Sequence, residues 1–158
     1  MPVTLYRIDD RLIHGQVVIG WGQPLGIRVV VLVDDDVQAS PWEQDLYGAA
    51  MPKGMAVRFT DTEEACRELP AWQAAPEKTV VLTGDIATMA TLAKCHPALL
   101  KQVNVGGIHH RQGRTKRLPY VYLSEEEFHQ LEALQALGVR VVAQDVPSAA
   151  RSGLEALA

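Results

Sequence analysis

The chain lacks a basic excess, a cysteine framework and any apolar run long enough to cross a bilayer. Its 15 lysines and arginines stand against 19 aspartates and glutamates, a formal net charge of −4. A general nucleic-acid binder would show the opposite balance. Only two cysteines occur, Cys66 and Cys95, with no CxxC spacing, a pattern that indicates neither a disulfide framework nor a zinc site. Each is expected on a helix, where a buried thiol behaves as a small apolar residue. No uninterrupted apolar stretch reaches the roughly 18 residues that a membrane span needs. The N-terminus shows no basic segment followed by a long apolar run, so no secretory leader is read there. What remains, 47% apolar and 22% charged residues, is the composition of a soluble globular protein. The 158 residues suffice for one domain, 1–158, with a full core and an expected cytoplasmic location.

Apolar runs of strand length alternate with helical patterns from end to end. Strands are expected at Thr4–Ile8, Arg28–Val33, Ala56–Phe59, Thr79–Leu82, Gln102–Val105, Tyr120–Leu123 and Arg140–Ala143. The successive apolar residues Val29, Val30, Val31, Leu32 and Val33 suggest a strand buried on both faces. Helices are expected from Gly15 to about Gly22, then over Pro41–Ala50, Thr62–Leu69, Ile86–Cys95, Glu125–Leu137 and Ala149–Leu157. Ser124-Glu125-Glu126-Glu127 reads as a capping box, and Gly138 as a helix stop. Pro70 to Pro76 reads as a proline-bounded loop. The alternation predicts an α/β fold: an open, mostly parallel sheet of about seven strands flanked by helices. In such sheets ligands bind beyond the carboxyl ends of the strands. That edge would gather the loops Asp9–Gly15, Asp34–Ser40, Thr83–Asp85 and Gly106–Arg117.

The first loop carries the chemistry. In Arg7-Ile8-Asp9-Asp10-Arg11-Leu12-Ile13-His14-Gly15-Gln16-Val17, a strand runs into two carboxylates, an arginine and a histidine, and a helix opens at Gly15. The first backbone N–H groups of a helix are unpaired and favour bound negative charge. A neutral imidazole at His14 can act as a nucleophile, and Arg11, three residues earlier, can hold oxyanions with several donors. One of Asp9 and Asp10 is expected to hold the second ring nitrogen of His14; the residues alone do not say which. Arg7 is expected on the strand with a structural role. Gly106 and Gly107 permit close backbone approach to a phosphate. Arg111, Arg114, Lys116 and Arg117 supply charge that could steer a partner. Asp34-Asp35-Asp36 is read as turn former and helix cap in preference to a metal site, with Ser40 as the N-cap of the next helix. His96 and His129 are expected on the surface, and Trp21 and Trp42 in the core. The adjacent His109 and His110 have no partner at metal-ligand spacing.

The run from Arg7 to Val17 resembles the phosphorylation-site segment of the IIB component of mannose/fructose/sorbose-type sugar phosphotransferase systems. Asn104-Val105-Gly106-Gly107 with Arg111-Gln112-Gly113-Arg114-Thr115-Lys116 is similar to that family's second loop. Val33-Asp34-Asp35-Asp36-Val37 and Ala50-Met51-Pro52-Lys53-Gly54-Met55 fit as well, so the resemblance spans essentially the whole chain. His109-His110 departs from the pattern. The resemblance implies a phosphocarrier without metal or other cofactor. His14 would take a phosphoryl group, on Nδ1, from a phosphohistidine of a IIA protein or domain. It would pass the group to a sugar bound by the membrane partners IIC and IID, the only route by which the chain would meet the membrane. Two other readings share the same residues: a regulatory phosphocarrier without its own permease, and a binding module for a phosphorylated metabolite.

Overall fold

The computed structural model describes residues 2–158. Seven strands form the main sheet: β1 (Val3–Ile8), β2 (Val29–Val33), β3 (Ala56–Thr60), β4 (Thr79–Thr83), β5 (Gln102–Val105), β8 (Arg140–Ala143) and β9 (Ser152–Gly153). Across the sheet they lie in the order β3-β2-β4-β1-β5-β8-β9. All neighbours pair in parallel except β8 and β9. The two strands between β5 and β8 in the chain, β6 (Thr115–Leu118) and β7 (Val121–Leu123), form a separate antiparallel hairpin. The helices are α1 (Gly22–Leu25), α2 (Asp35–Gln38), α3 (Pro41–Ala49), α4 (Thr62–Ala74), α5 (Ile86–Cys95) and α6 (Glu125–Ala136).

Crossover helices bury both faces of the sheet, which is why β2 and β4 are buried at every position. Alternate side chains divide between two cores. Val29, Val31, Val33, Val81 and Ile8 join residues of α4, α5 and α6, while Val30, Leu32, Val80 and Leu82 join Val17, Val18 and Trp21. The chain leaves β1 toward β2 on one side, and the β4-to-β5 crossover passes to the other. The carboxyl end of β1 is therefore where the winding reverses and a crevice opens.

Several local expectations hold. Ile86–Cys95 is helical with the expected bounds. Ser124 and Glu127 form the capping box, and Gly138 takes a left-handed φ of 93° just beyond α6. Asp34 accepts the N–H groups of Asp36 and Val37, and Ser40 caps α3 through the Glu43 N–H.

Other expectations are corrected. The stretch expected as a strand at Tyr120–Leu123 lies outside the main sheet: Pro119 and Tyr120 form a tight turn that folds β7 back on β6. The seventh strand of the sheet is instead Ser152–Gly153, within a segment expected to be helical, of which only Leu154–Leu157 coils, as a 3₁₀ turn. Helix α4 does not stop before Pro70 but runs through it to Ala74, because Leu69 and Trp72 bury into the core on either side of the proline. The missing N–H of Pro70 frees the Cys66 carbonyl, and His96 Nε2 fills the gap at 2.5 Å, so His96 is a half-buried structural residue. Cys66 and Cys95, expected as isolated thiols, form a disulfide that clamps α4 to α5. Their distance in sequence hides a contact that exists only because α4 and α5 pack side by side. Trp42, expected in the core, is 72% exposed on α3, whereas Trp21 is buried.

Among the described residues no helix is long and apolar enough to cross a membrane.

Candidate active site

The loop after β1 is built around one buried carboxylate. Asp9 is fully buried, yet it receives the Arg7 Nη2 (3.2 Å), the Arg11 Nε (3.3 Å) and Nη2 (3.4 Å), and the backbone N–H groups of Arg11 (3.2 Å) and Gly107 (3.3 Å). Burial alone would push its carboxyl up. The contact with His14 and the charges of Arg7 and Arg11 more than offset that and hold it well below the usual carboxylate range. Asp9 is therefore a negative charge between two cations, and the three together carry net positive charge, which suits a bound anion.

Arg7 stands behind the site, as the strand position implied. It is fully buried and donates to Asn104 Oδ1 and to the carbonyls of Gln144 and Asp145, both at 3.0 Å. Its guanidinium also lies 4.9 Å from the centre of the Trp21 ring, whose Nε1–H donates to the same Asp145 carbonyl. Among the described residues its Nε has no hydrogen-bond partner. Burial lowers the pKa of this arginine, an effect opposed chiefly by Asp9. Arg7 thus stitches β1, β5 and the segment after β8 together beneath the loop.

Gly106 exists for Arg7. A Cβ on Gly106 would overlap the Arg7 guanidinium, while one on Gly107 would sit 3.3 Å from Arg11 Nη2 and 3.4 Å from Asp9 Oδ1. The N–H groups of both glycines are engaged within the protein, Gly106 to the Ile8 carbonyl at 2.7 Å and Gly107 to Asp9. The Gly106→Ala variant should lose about 1–3 kcal/mol of stability through this overlap, read by denaturant unfolding. An unchanged midpoint would show that the arginine can swing aside.

His14 faces this carboxylate. Its Nε2 lies 3.3 Å from Asp9 Oδ1, at ion-pair distance though without the alignment of a strong hydrogen bond. The Gln16 N–H donates to Nδ1 at 3.3 Å. These two neighbours assign the tautomer: the proton sits on Nε2 toward Asp9, and Nδ1 keeps its lone pair. The His14 carbonyl accepts from the N–H groups of Val17 and Val18 and so starts the π-helical turn Gln16–Trp21, which continues into α1. Gly15 opens this turn and is exposed; a Cβ added there would meet nothing within 4 Å among the described residues. Leu12, two residues before His14, takes a left-handed φ of 61°, which turns the chain back after the Asp9–Leu12 hydrogen bond. Its side chain fills the space left by Gly84 at the end of β4.

Arg11 is the arginine that looks outward. Its side chain is 36% exposed, and beyond Asp9 it donates to Gln16 Oε1. It lines a cleft of about 220 Å³ with Gln16, His109, Tyr120, Tyr122 and Asp145. A larger hollow of about 430 Å³ lies where β1 and β5 splay apart, lined by Tyr6, Gln73 and Lys101. It opens along the first residues of β1, away from His14, and has no link to this chemistry.

Sequence reasoning left the two aspartates equivalent; the structure separates them. Asp10 takes His109, its Oδ2 accepting the backbone N–H at 2.7 Å and its Oδ1 lying 2.5 Å from the ring Nδ1. His110 packs edge-on against Tyr122. Of the four basic residues in the second loop, Arg114 is committed to a bidentate pair with Glu127 (2.8 and 2.7 Å) and to the His109 carbonyl. Arg117 is tied to Glu125 and to the carbonyls of Leu123 and Leu157. Arg111 and Lys116 are exposed and make no ion pair among the described residues. Sequence reasoning missed the parts played by Asn104, Gln16 and Trp21; the neighbouring Asn104-Val105-Gly106-Gly107 run was the one signal available.

Residues 3–158 match the family described as PTS system sorbose subfamily IIB component. The chain is 34% identical over 148 residues to the N-acetylgalactosamine-specific phosphotransferase enzyme IIB component 1 of Escherichia coli K12, covering 92% of this chain and 91% of that protein. It is 29% identical to the mannose-specific EIIAB component of the same organism, over 92% of this chain and 45% of that longer protein. The crystal structure of the IIBSor domain of the sorbose permease from Klebsiella pneumoniae superposes with a TM-score of 0.89 at 28% identity, covering 99% of this chain and 96% of that one. A match over nearly every residue, on the same fold, shows that the chain belongs to the sorbose-subfamily IIB components of the sugar phosphotransferase system.

Proposed function

We infer that the protein carries a phosphoryl group on His14 Nδ1, taken from a phosphohistidine of a IIA partner and passed to a sugar held by membrane IIC and IID partners. The observation that supports this most is the setting of the ring. Nε2 faces the buried Asp9, whose carboxyl is held well below the usual carboxylate range, and Nδ1 accepts a backbone N–H. In the first step Nδ1 attacks phosphorus, the donor's P–N bond breaks, and its electron pair returns to the donor imidazole. Because Nε2 keeps its proton, the His14 ring gains positive charge, and Asp9 stabilises it at 3.3 Å. Arg11, which bonds Gln16, and the Gln16 N–H, which reaches Nδ1, would hold the phosphoryl oxygens. Such transfers depend on alignment and charge, with little covalent work left to the protein.

A donor histidine and then a sugar must reach the same atom, so the ring has to be accessible; it is 19% exposed, at the rim of the loop. The protein would act in the cytoplasm and meet the membrane only through IIC and IID. The IIA partner is consistent with the mannose-specific relative, whose name joins A and B on one chain. The sugars in the relatives' names, N-acetylgalactosamine, mannose and sorbose, are the first acceptors to offer.

The test is phosphoryl transfer from phosphorylated IIA to the wild-type protein, with the label mapped by peptide. One acid-labile group on the peptide holding His14, discharged when permease vesicles and sugar are added, is the expected result. Stable binding of a sugar phosphate with no label on His14 would instead make this a binding module.

A further inference from the structure

The two transfers have different proton requirements. A neutral imidazole attacks phosphorus through the Nδ1 lone pair, which the Gln16 N–H must release, and needs no base. A sugar hydroxyl must lose its proton, so a base beside the acceptor speeds the second transfer alone. Asp9 is a poor base for this, since it is buried, ionised and already engaged by two arginines and two backbone N–H groups. Arginines cannot serve at all.

A second carboxylate–imidazole pair, Asp10 and His109, stands beside the loop, with His109 on the cleft that Arg11 and Gln16 also line. Asp10, its side chain only 12% exposed, lies 2.5 Å from His109 Nδ1, while the His109 ring is 62% exposed. In the neutral ring, a carboxylate at Nδ1 favours the tautomer with the proton on that nitrogen and the lone pair on Nε2. His109 borders the cleft together with Arg11 and Gln16, and the Gln16 N–H is the one that reaches His14 Nδ1. The backbone of His109 is anchored without its side chain, by its N–H to Asp10 and by its carbonyl to Arg114 Nη1. Two backbone hydrogen bonds therefore remain to hold the loop when the ring and its contact with Asp10 are removed.

We propose that Asp10 and His109 form the general base of the sugar-phosphorylating step. The acceptor oxygen bonds to phosphorus, the P–Nδ1 bond of phospho-His14 breaks, and its electron pair returns to Nδ1. The hydroxyl proton goes to His109 Nε2, and Asp10 stabilises the imidazolium that results. The assignment rests on His14 being the carrier, and each transfer can be measured separately.

His109→Gln and His109→Ala are to be compared with the wild type, using phosphorylated IIA, vesicles holding IIC and IID, and N-acetylgalactosamine, mannose and sorbose as acceptors. Labelling of His14 should stay within about twofold of wild type, which also reports a folded protein. Formation of sugar phosphate should fall on the order of 10²-fold. Added imidazole should restore part of that rate in His109→Ala, where it can enter the vacated space. Wild-type rates of sugar phosphorylation in both variants would overturn the proposal, as would a slow rate that imidazole leaves unchanged. Loss of His14 labelling in the variants would make His109 a structural residue instead. A wild type labelled on His14 that phosphorylates none of the sugars would remove the step the base is meant to serve. A wild type that takes no label would defeat the carrier reading itself.

Discussion

The His14→Ala variant is expected to take up no phosphoryl group from phosphorylated IIA, a fall of at least about 10⁴-fold, because no nucleophile is left at the end of β1. Its fold should survive. The His14 carbonyl, not its ring, starts the helical turn, and that hydrogen bonding passes unchanged to alanine. The ring is partly exposed and lies outside both hydrophobic cores. Unfolding free energy should therefore shift by no more than about 1 kcal/mol. Acid-labile label and denaturant unfolding on the same preparation separate chemistry from folding. Equal labelling of variant and wild type would move the carrier elsewhere, and His109 and His110 would be substituted next.

Asp9→Asn should damage both stability and transfer. The variant keeps the volume but leaves the fully buried Arg7 without a counter-charge, its remaining partners being the Asn104 amide and two carbonyls. Breaking a buried pair from one side costs about 3–5 kcal/mol. Transfer onto His14 should slow on the order of 10²-fold, since the group that orients the ring and offsets its charge is gone. The pH dependence carries a distinct sign. In the wild type the folded carboxyl is depressed below its unfolded value, so the stability it contributes is complete above the ordinary carboxylate range. That contribution fades as pH falls through the unfolded value toward the lower folded one. Asp9→Asn has no such group, so the stability gap between variant and wild type should narrow on acidification. A gap that stays constant down to the acid limit would show that Asp9 is not the charge that holds Arg7.

The parallel sheet was legible because its strands advertise themselves. A run such as Val29 to Val33 has no polar face, and only a strand covered on both sides accepts it. Caps at Ser40 and Ser124 were legible for the same local reason: a short oxygen-bearing side chain three residues before the N–H it accepts. Pro70 misled because propensity is a local weight, while Leu69 and Trp72 draw the helix onward by burial in the core. The bound His96 lies 30 residues from Cys66, and no local pattern announces it.

The linear order of residues sets which chemistry this chain can perform: a histidine three residues past an arginine, behind two carboxylates, at the mouth of a helix. The division of labour among those groups arises only in the packed fold. Asp9 and Asp10 are neighbours with the same side chain, and alternation along the loop sends one inward beneath His14 and the other outward to His109. Arg7 and Arg11 are separated in the same way, one sealed under the loop and one open to the cleft. Sequence specifies charge and reach; burial and direction depend on the strands that pack around β1, and those come from positions nearly a hundred residues away, at Asn104, Gly106 and Gly107.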